Sequence, residues 1–158
     1  MDTQRPGKPV SASRTEQAQI LMYDTLNGYK RLFGGRLMEW IDVVAGVTAR
    51  RHAGCDVTTA SVGRLDFLAP ASVNDTILLE GRITWTGRTS MEVRVDTFVE
   101  GLDGKRQQVN RAYLILVAID PEGRPTPVPP LELHTPEEYQ EWSAALVRKE
   151  AAQQQTLY

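Results

Sequence analysis

Leu32-Phe33-Gly34-Gly35-Arg36-Leu37-Met38-Glu39-Trp40-Ile41-Asp42-Val43-Val44-Ala45-Gly46 is the stretch on which the fold turns. Two glycines open a run that lacks proline as far as Ala53, and its apolar side chains fall on most sides of a helical axis. A helix that is apolar nearly all round belongs inside a protein. At about 100° per residue, however, Gly35, Glu39, Asp42, Gly46, Ala49 and Ala53 share one narrow face. The pattern predicts a helix covered on most sides, with a seam of small residues and two carboxylates kept open for something polar. Gly54 stands where a C′ glycine ends such a helix.

Beyond Gly54 the apolar period changes from 3.6 to 2. Strands are predicted over Val57 to Leu68, Thr76 to Trp85, Ser90 to Val99 and Val109 to Ile119, the last being the most apolar and expected at the centre of the sheet. Within the third, Met91, Val93 and Val95 alternate with Glu92, Arg94 and Asp96. Asp103-Gly104 marks a hairpin turn. Pro121, Pro125, Pro127, Pro129 and Pro130 keep the next segment extended. A closing helix runs from Thr135 to about Gln153, with Thr135 as N-cap, Pro136 at its first position and Glu137 and Glu138 in its first turn. Upstream, residues 1–13 read as a loose arm, and Arg14 to Tyr23 as a short helix or an edge strand. One helix followed by turn-connected strands is an α+β architecture whose antiparallel sheet curls around the helix.

Composition narrows the function. The 158 residues fit one domain with a real core, 41% of them hydrophobic and 24% charged. A net charge of −2, with both signs mixed along the chain, gives no basic surface for nucleic acid. A single cysteine, Cys55, excludes an internal disulfide and a thiolate metal cage, and two histidines make no metal site. No apolar run is long enough to span a membrane, and the N-terminus lacks a signal-peptide layout. A cytoplasmic location is expected.

The chain resembles the hotdog-fold acyl-CoA thioesterases, in particular the cytosolic acyl-CoA hydrolase branch. The resemblance spans roughly Asn27 to Val128. It is carried by Asn27 six residues ahead of Phe33, by Phe33-Gly34-Gly35, and by Trp40-Ile41-Asp42 with Ala45-Gly46. Thr59-Ala60-Ser61-Val62, Leu65-Asp66-Phe67-Leu68-Ala69-Pro70 and Gly87-Arg88-Thr89-Ser90-Met91-Glu92-Val93 complete it. It implies a long central helix wrapped by a curved antiparallel sheet, with an added C-terminal helix. It further implies pairing of two units through their sheets, acyl-CoA bound at the dimer interface, and a trimer of dimers. The organisation expected is an arm over residues 1–13, the hotdog domain over 14–130 and a helical extension over 131–158. The family usually has a glycine three residues before the Phe of the Gly-Gly motif; here Lys30 stands there and the glycine is Gly28.

Thioester hydrolysis, the activity so implied, requires a polarised carbonyl, a nucleophilic water and a hold on CoA. Gly34 and Gly35 open the long helix, where unpartnered backbone N–H groups and the dipole favour negative charge. The Gly35 N–H is the candidate oxyanion donor, with Gly34 allowing close approach of the substrate. Asp42 is the candidate general base, or alternatively a nucleophile acting through an anhydride. Asn27 would orient the water or the carbonyl. Seven residues of helix between Gly35 and Asp42 amount to about 10 Å, too far for one short carboxylate to serve a carbonyl held at its own helix's first turn. The reading therefore takes Asn27 and Gly35 from one subunit and Asp42 from the other, as the resemblance also implies.

Each assignment has a plainer counterpart. Asp42 would otherwise be a buried carboxylate satisfied by a neighbouring strand, Asn27 a turn cap, and the glycine pair a close packing point. Glu39 is a second possible base, for which a solvent role is preferred. Arg88, Thr89, Ser90 and Arg64 are candidates for contacts to CoA, with Lys30 weaker. Trp40, Met38 and Phe67 are expected to shape the acyl pocket. His52 is read as a charge complement to the helix C-terminus, and Cys55 as inert. The function expected is an acyl-CoA thioester hydrolase without metal or organic cofactor. A non-catalytic acyl-CoA-binding module is the alternative, and a hotdog dehydratase ranks last because neither histidine stands in the required place.

Overall fold

A computed structural model describes residues 5–32 and 34–155 of the chain. Its elements in order are β1 (Lys8–Pro9), β2 (Thr15–Ile20), α1 (Gly34–Ala53), β3 (Val57–Phe67), β4 (Thr76–Thr86), β5 (Ser90–Glu100), β6 (Arg106–Ala118), β7 (Leu131–Glu132) and α2 (Pro136–Gln155). Five strands form one antiparallel sheet in the order β2-β4-β5-β6-β3, and β1 pairs in parallel with β7. The segment from Arg14 to Tyr23, read as helix or edge strand, contributes the edge strand β2. The central strand is β5; β6, expected at the centre, lies between β5 and the long edge strand β3.

Helix α1 lies across one face of the sheet and touches all five strands. Leu37, Ile41, Val44, Ala45, Thr48, Ala49, His52 and Ala53 are buried, a stripe recurring at helical spacing. Opposite them stand Ile77, Leu79 and Ile83 of β4, Met91, Val93 and Val95 of β5, and Ala112, Leu114 and Leu116 of β6. Gly81 is the closest crossing point: a Cβ there would lie 2.5 Å from Thr48 Oγ1 and 2.9 Å from Val44 Cγ1. A side chain at 81 would lift the helix off the sheet.

Within one chain α1 is not wrapped on most sides. Gly35, Arg36, Met38, Glu39, Asp42 and Val43 are exposed, so the open seam predicted for this helix occupies only its N-terminal half. Ala49 and Ala53, assigned to the same face, are buried. A straight open face does not hold, because the C-terminal end of the helix is met by other segments: Arg5 and Lys8 bind the Ala53 and Arg51 carbonyls, and His52 contacts the Pro129 carbonyl.

The opposite face of the sheet is also covered. Thr135 Oγ1 accepts the Glu138 N–H at 3.1 Å, and Glu138 Oε2 accepts the Thr135 N–H at 3.2 Å, a capping box that starts α2 where the sequence places it. The helix packs over the outward residues of β4, β5 and β6. Trp142 meets Trp85 with ring centroids 6.0 Å apart, and the Arg148 guanidinium sits 3.7 Å over the Tyr113 ring. Glu92, Arg94 and Asp96, which alternation places on a solvated face, are therefore buried. Their charges are matched: Arg148 grips both carboxylate oxygens of Glu92 at 2.7 and 3.1 Å, and Arg94 pairs with Asp96 at 2.8 Å and with Glu141. Breaking one such pair leaves a buried charge uncompensated.

The described part of the N-terminal arm is seated and not loose. Lys8 and Pro9 pair with Leu131 and Glu132, and Val10 and Ser13 are buried. The arm thus joins the start of the C-terminal extension. It also supplies the cations that complement the C-terminus of α1: Arg5 Nη1 donates to the Ala53 carbonyl at 3.2 Å and Lys8 Nζ to the Arg51 carbonyl at 2.9 Å. His52, read as that complement, is instead fully buried, its Nε2 at 2.7 Å from the Pro129 carbonyl. Burial, helped by the nearby positive charge of Lys8 and opposed by the bond to Pro129, lowers the imidazole pKa from its usual 6.5. Unfolded His52 binds a proton near pH 6.5 while the folded protein does not, so folding loses stability as the pH falls from 6.5 toward the lowered value. Urea unfolding as a function of pH should show that His52→Gln removes a slope of up to about 1.4 kcal/mol per pH unit in this window; equal slopes in the two proteins would contradict it.

Candidate active site

The turn ahead of α1 is built around Asn27. Its Oδ1 accepts the backbone N–H of Tyr29 at 2.9 Å and of Arg31 at 3.3 Å, its own N–H donates to the Arg31 carbonyl at 2.7 Å, and its carbonyl accepts from Lys30. Asn27 does cap a turn, as its plainer reading held. Because two N–H donors occupy Oδ1, the side chain is fixed with its Nδ2 group as the remaining donor. Lys30 has φ +59°, the left-handed conformation that favours glycine. The lysine standing in the family's glycine position therefore occupies the backbone state that a glycine suits.

Asn27 lines a cleft of about 380 Å³ whose other walls are Arg31, Leu32, Leu37, Val109 and the run Phe67 to Ala71. Helix α1 starts beside it: a Cβ on Gly34 would meet Phe67 Cζ at 3.7 Å. Gly35 follows, exposed, and no acidic residue stands in this first turn to neutralise the helix dipole. Phe33, the first residue of the Phe-Gly-Gly motif, lies outside the described residues. Of the residues expected to shape a pocket, Phe67 lines this cleft; Trp40 is half-buried against the core and Met38 is exposed beside it.

Asp42 lies two turns further on, with its carboxylate exposed. Thr59 Oγ1 on β3 donates to Asp42 Oδ1 at 2.7 Å. The carboxylate is thus held by a neighbouring strand, but at the surface and by one oxygen only. Thr59 stands in one of the family motifs without a role legible from sequence, because a hydroxyl seventeen residues from the aspartate it holds has no periodic signature. Glu39 pairs with Arg36 at 3.1 Å in the open, in keeping with a solvent role.

The candidate residues fall into two groups. Asn27, Gly34, Gly35 and the cleft gather at the Phe67 end of β3, while Asp42 and Thr59 lie toward its Val57 end. Thr59 and Phe67 stand eight positions apart, roughly 26 Å if fully extended and shortened here by two irregularities in the register with β6, while Gly35 and Asp42 are about 10 Å apart along the helix. Arg88, Thr89 and Ser90 form the turn into β5. Ser90 and Thr58 are both register partners of Val117, so this turn lies at the Val57 end, away from the cleft of the same chain. Arg64 is bound to Asp66 at 2.9 Å.

Between the groups runs an open sheet edge. Seven consecutive residues of β3, Thr58 to Arg64, are exposed. No proline blunts the edge, and charge is confined to its last third. Natural proteins rarely leave so long an edge unprotected.

One long helix laid across an antiparallel five-stranded sheet is the hotdog fold. The chain belongs to the thioesterase superfamily, whose family model matches residues 29–103. It is 39% identical over 132 residues to YkhA, an uncharacterised acyl-CoA thioester hydrolase of Bacillus subtilis, across 83% of this chain and 76% of that protein. An apo-hexameric acyl-CoA thioesterase superposes with a TM-score of 0.92 at 38% identity, covering 96% of this chain and 98% of that one. An acyl-CoA hydrolase from Staphylococcus aureus in complex with butyryl coenzyme A, coenzyme A and coenzyme A disulfide gives 0.91 at 31% identity, covering 96% and 93%. Alanine variants of that enzyme at an aspartate, an asparagine and a threonine have the same fold.

The left-handed residue of the Asn27 turn offers a direct check. Lys30→Gly relieves a conformation that costs an ordinary residue about 1–2 kcal/mol, less the extra chain entropy that glycine loses. Chemical denaturation should show a gain of roughly 0.5–1 kcal/mol, and a loss would contradict the strain.

Proposed function

We propose that this protein is an acyl-CoA thioester hydrolase whose reaction centre is completed between two subunits. The observation that carries the reading is the separation of the two groups along β3. Residues around the middle of that strand, near Val62, are exposed and unpaired on their outer side. Antiparallel pairing of β3 with its copy about a twofold axis would set the Phe67 end of one subunit against the Val57 end of its mate. The Asn27, Gly34 and Gly35 group of one chain would then face Asp42, Thr59 and the Arg88 to Ser90 turn of the other, giving two sites per dimer. Relatives of this fold that are hexameric support assembly, and three such dimers are the assembly proposed. A cytoplasmic location goes with this reading, and acyl-CoA is the only partner it requires.

In this centre the thioester oxygen takes hydrogen bonds from the Gly35 N–H and from Asn27 Nδ2, and developing negative charge is favoured by the helix N-terminus. Asn27 acts on the carbonyl and not on the water, because its accepting oxygen is already spent on its own turn. Asp42 of the mate, one oxygen fixed by Thr59, uses the other to take a proton from water as the hydroxide adds to the carbonyl carbon. Collapse of the tetrahedral intermediate breaks the C–S bond, and the proton held by Asp42 passes to the departing CoA sulfur. Fatty acid and CoA are the products. The S. aureus variants at an aspartate, an asparagine and a threonine involve the same three residue types.

Thiol release from butyryl-CoA tests the assignments together. Asp42→Asn should lose about a hundredfold or more of kcat. Asn27→Asp, which keeps the turn's acceptor and deletes the donor, should lose a comparable factor with unfolding stability retained. Thr59→Val should lose about tenfold, recovered in Thr59→Ser. Undiminished turnover in Asp42→Asn would end the proposal, and binding of acyl-CoA without turnover by the wild type would favour the non-catalytic module.

A further inference from the structure

We infer that Arg31 is the anion anchor of the Asn27 cleft, its guanidinium taking a phosphate or carboxylate group carried by the substrate. The inference rests on the thioesterase reading and adds to it the residue that holds substrate charge. Arg31 lines the cleft with Asn27, and the remaining walls are apolar, among them Leu32, Leu37, Phe67 and Pro70. Among the described residues no carboxylate pairs with it; Arg36 is paired with Glu39 and Arg64 with Asp66, and Lys30, also without a carboxylate partner, does not line the cleft. Arg31 is also mounted rigidly. Its N–H reaches Asn27 Oδ1, its carbonyl accepts the Asn27 N–H at 2.7 Å, and it forms a bridge to Ser72.

The turn that orients the carbonyl donor therefore carries an unneutralised cation whose backbone is held by Asn27 and Ser72. The start of α1 adds field of the same sign, with no acidic residue in its first turn. A planar guanidinium suits a two-oxygen anion in bidentate geometry. Of the CoA-contact candidates, Arg64 is neutralised by Asp66, and Arg88 lies at the far end of its own sheet from this cleft. Two parts of an acyl-CoA carry such anions: the phosphates of CoA, and the terminal carboxylate of a dicarboxylic acyl chain.

Arg31→Gln, which retains the backbone bonds of the turn, separates these sources when assayed on butyryl-CoA, succinyl-CoA and butyryl-N-acetylcysteamine. Capture of a CoA phosphate predicts a rise in KM of about tenfold or more for both CoA esters, with kcat kept and the phosphate-free ester unaffected. Capture of an acyl carboxylate predicts the same rise for succinyl-CoA alone. Equal KM values in variant and wild type on all three overturn the assignment, as does an equal fall in kcat on all three, which would mark Arg31 as part of the turn's framework. Calorimetric titration with CoA and succinyl-CoA gives a reading independent of turnover. A wild type that binds either but releases no thiol sinks the hydrolase reading alone, and Arg31→Gln must then weaken that binding by a similar factor. A wild type that binds neither overturns both.

Discussion

The contact of α1 with β4 at Gly81 is the constraint on which the rest of the molecule depends. With no side chain at that point, Val44 and Thr48 press against the strand, and the rotation of the helix is set. Two residues apart on a helix means about 200° apart around it, so turning Val44 to the sheet turns Asp42 away from the core and toward the open edge. There Thr59 meets it. The same rotation presents the first turn beside Phe67 and the Asn27 cleft. The candidate carboxylate and the candidate oxyanion-binding helix end thus come from one packing decision, held in place by apolar burial and not by the polar groups themselves.

The second face of the sheet is organised differently. Arg82 and Arg94 are direct neighbours across β4 and β5, an arrangement of like charges that would be unfavourable alone. Glu141 of α2 lies between them, with Arg82 Nη2 3.7 Å from its Oε1, and Arg148 answers Glu92. Burial works against the charge of Arg148, yet the hydrogen bond and charge of Glu92 raise its pKa. The extension therefore belongs to the sheet by charge matching as well as by the Trp85 and Trp142 contact, and leaves the β3 edge uncovered.

Much of this was legible in the chain. The alternation of Met91, Val93 and Val95 named a strand and its inner face. Thr135-Pro136-Glu137-Glu138 announced the start of α2, and the glycine pair located the start of α1. What escaped were contacts between distant segments. Nothing local says that Arg5 and Lys8 complement the end of α1 in place of His52, or that the polar face of β5 lies under a helix. The partnership of Thr59 with Asp42 and the unpaired state of Arg31 are likewise products of the fold. For the site, residue types and spacing named candidate groups, while their division between the two ends of β3 became visible only with the strand order.

The proposed sharing of one reaction centre by two subunits is tested most directly by mixing two inactive proteins. Asp42→Asn and Asn27→Ala subunits, co-refolded in equal amounts, would form mixed dimers with one intact centre and one doubly defective centre. Random pairing then returns about a quarter of the wild-type activity. Recovery near that level is the result the account requires. A mixture that stays as inactive as its components, with mixed dimers shown to have formed, would place both residues in a centre within one chain and contradict it.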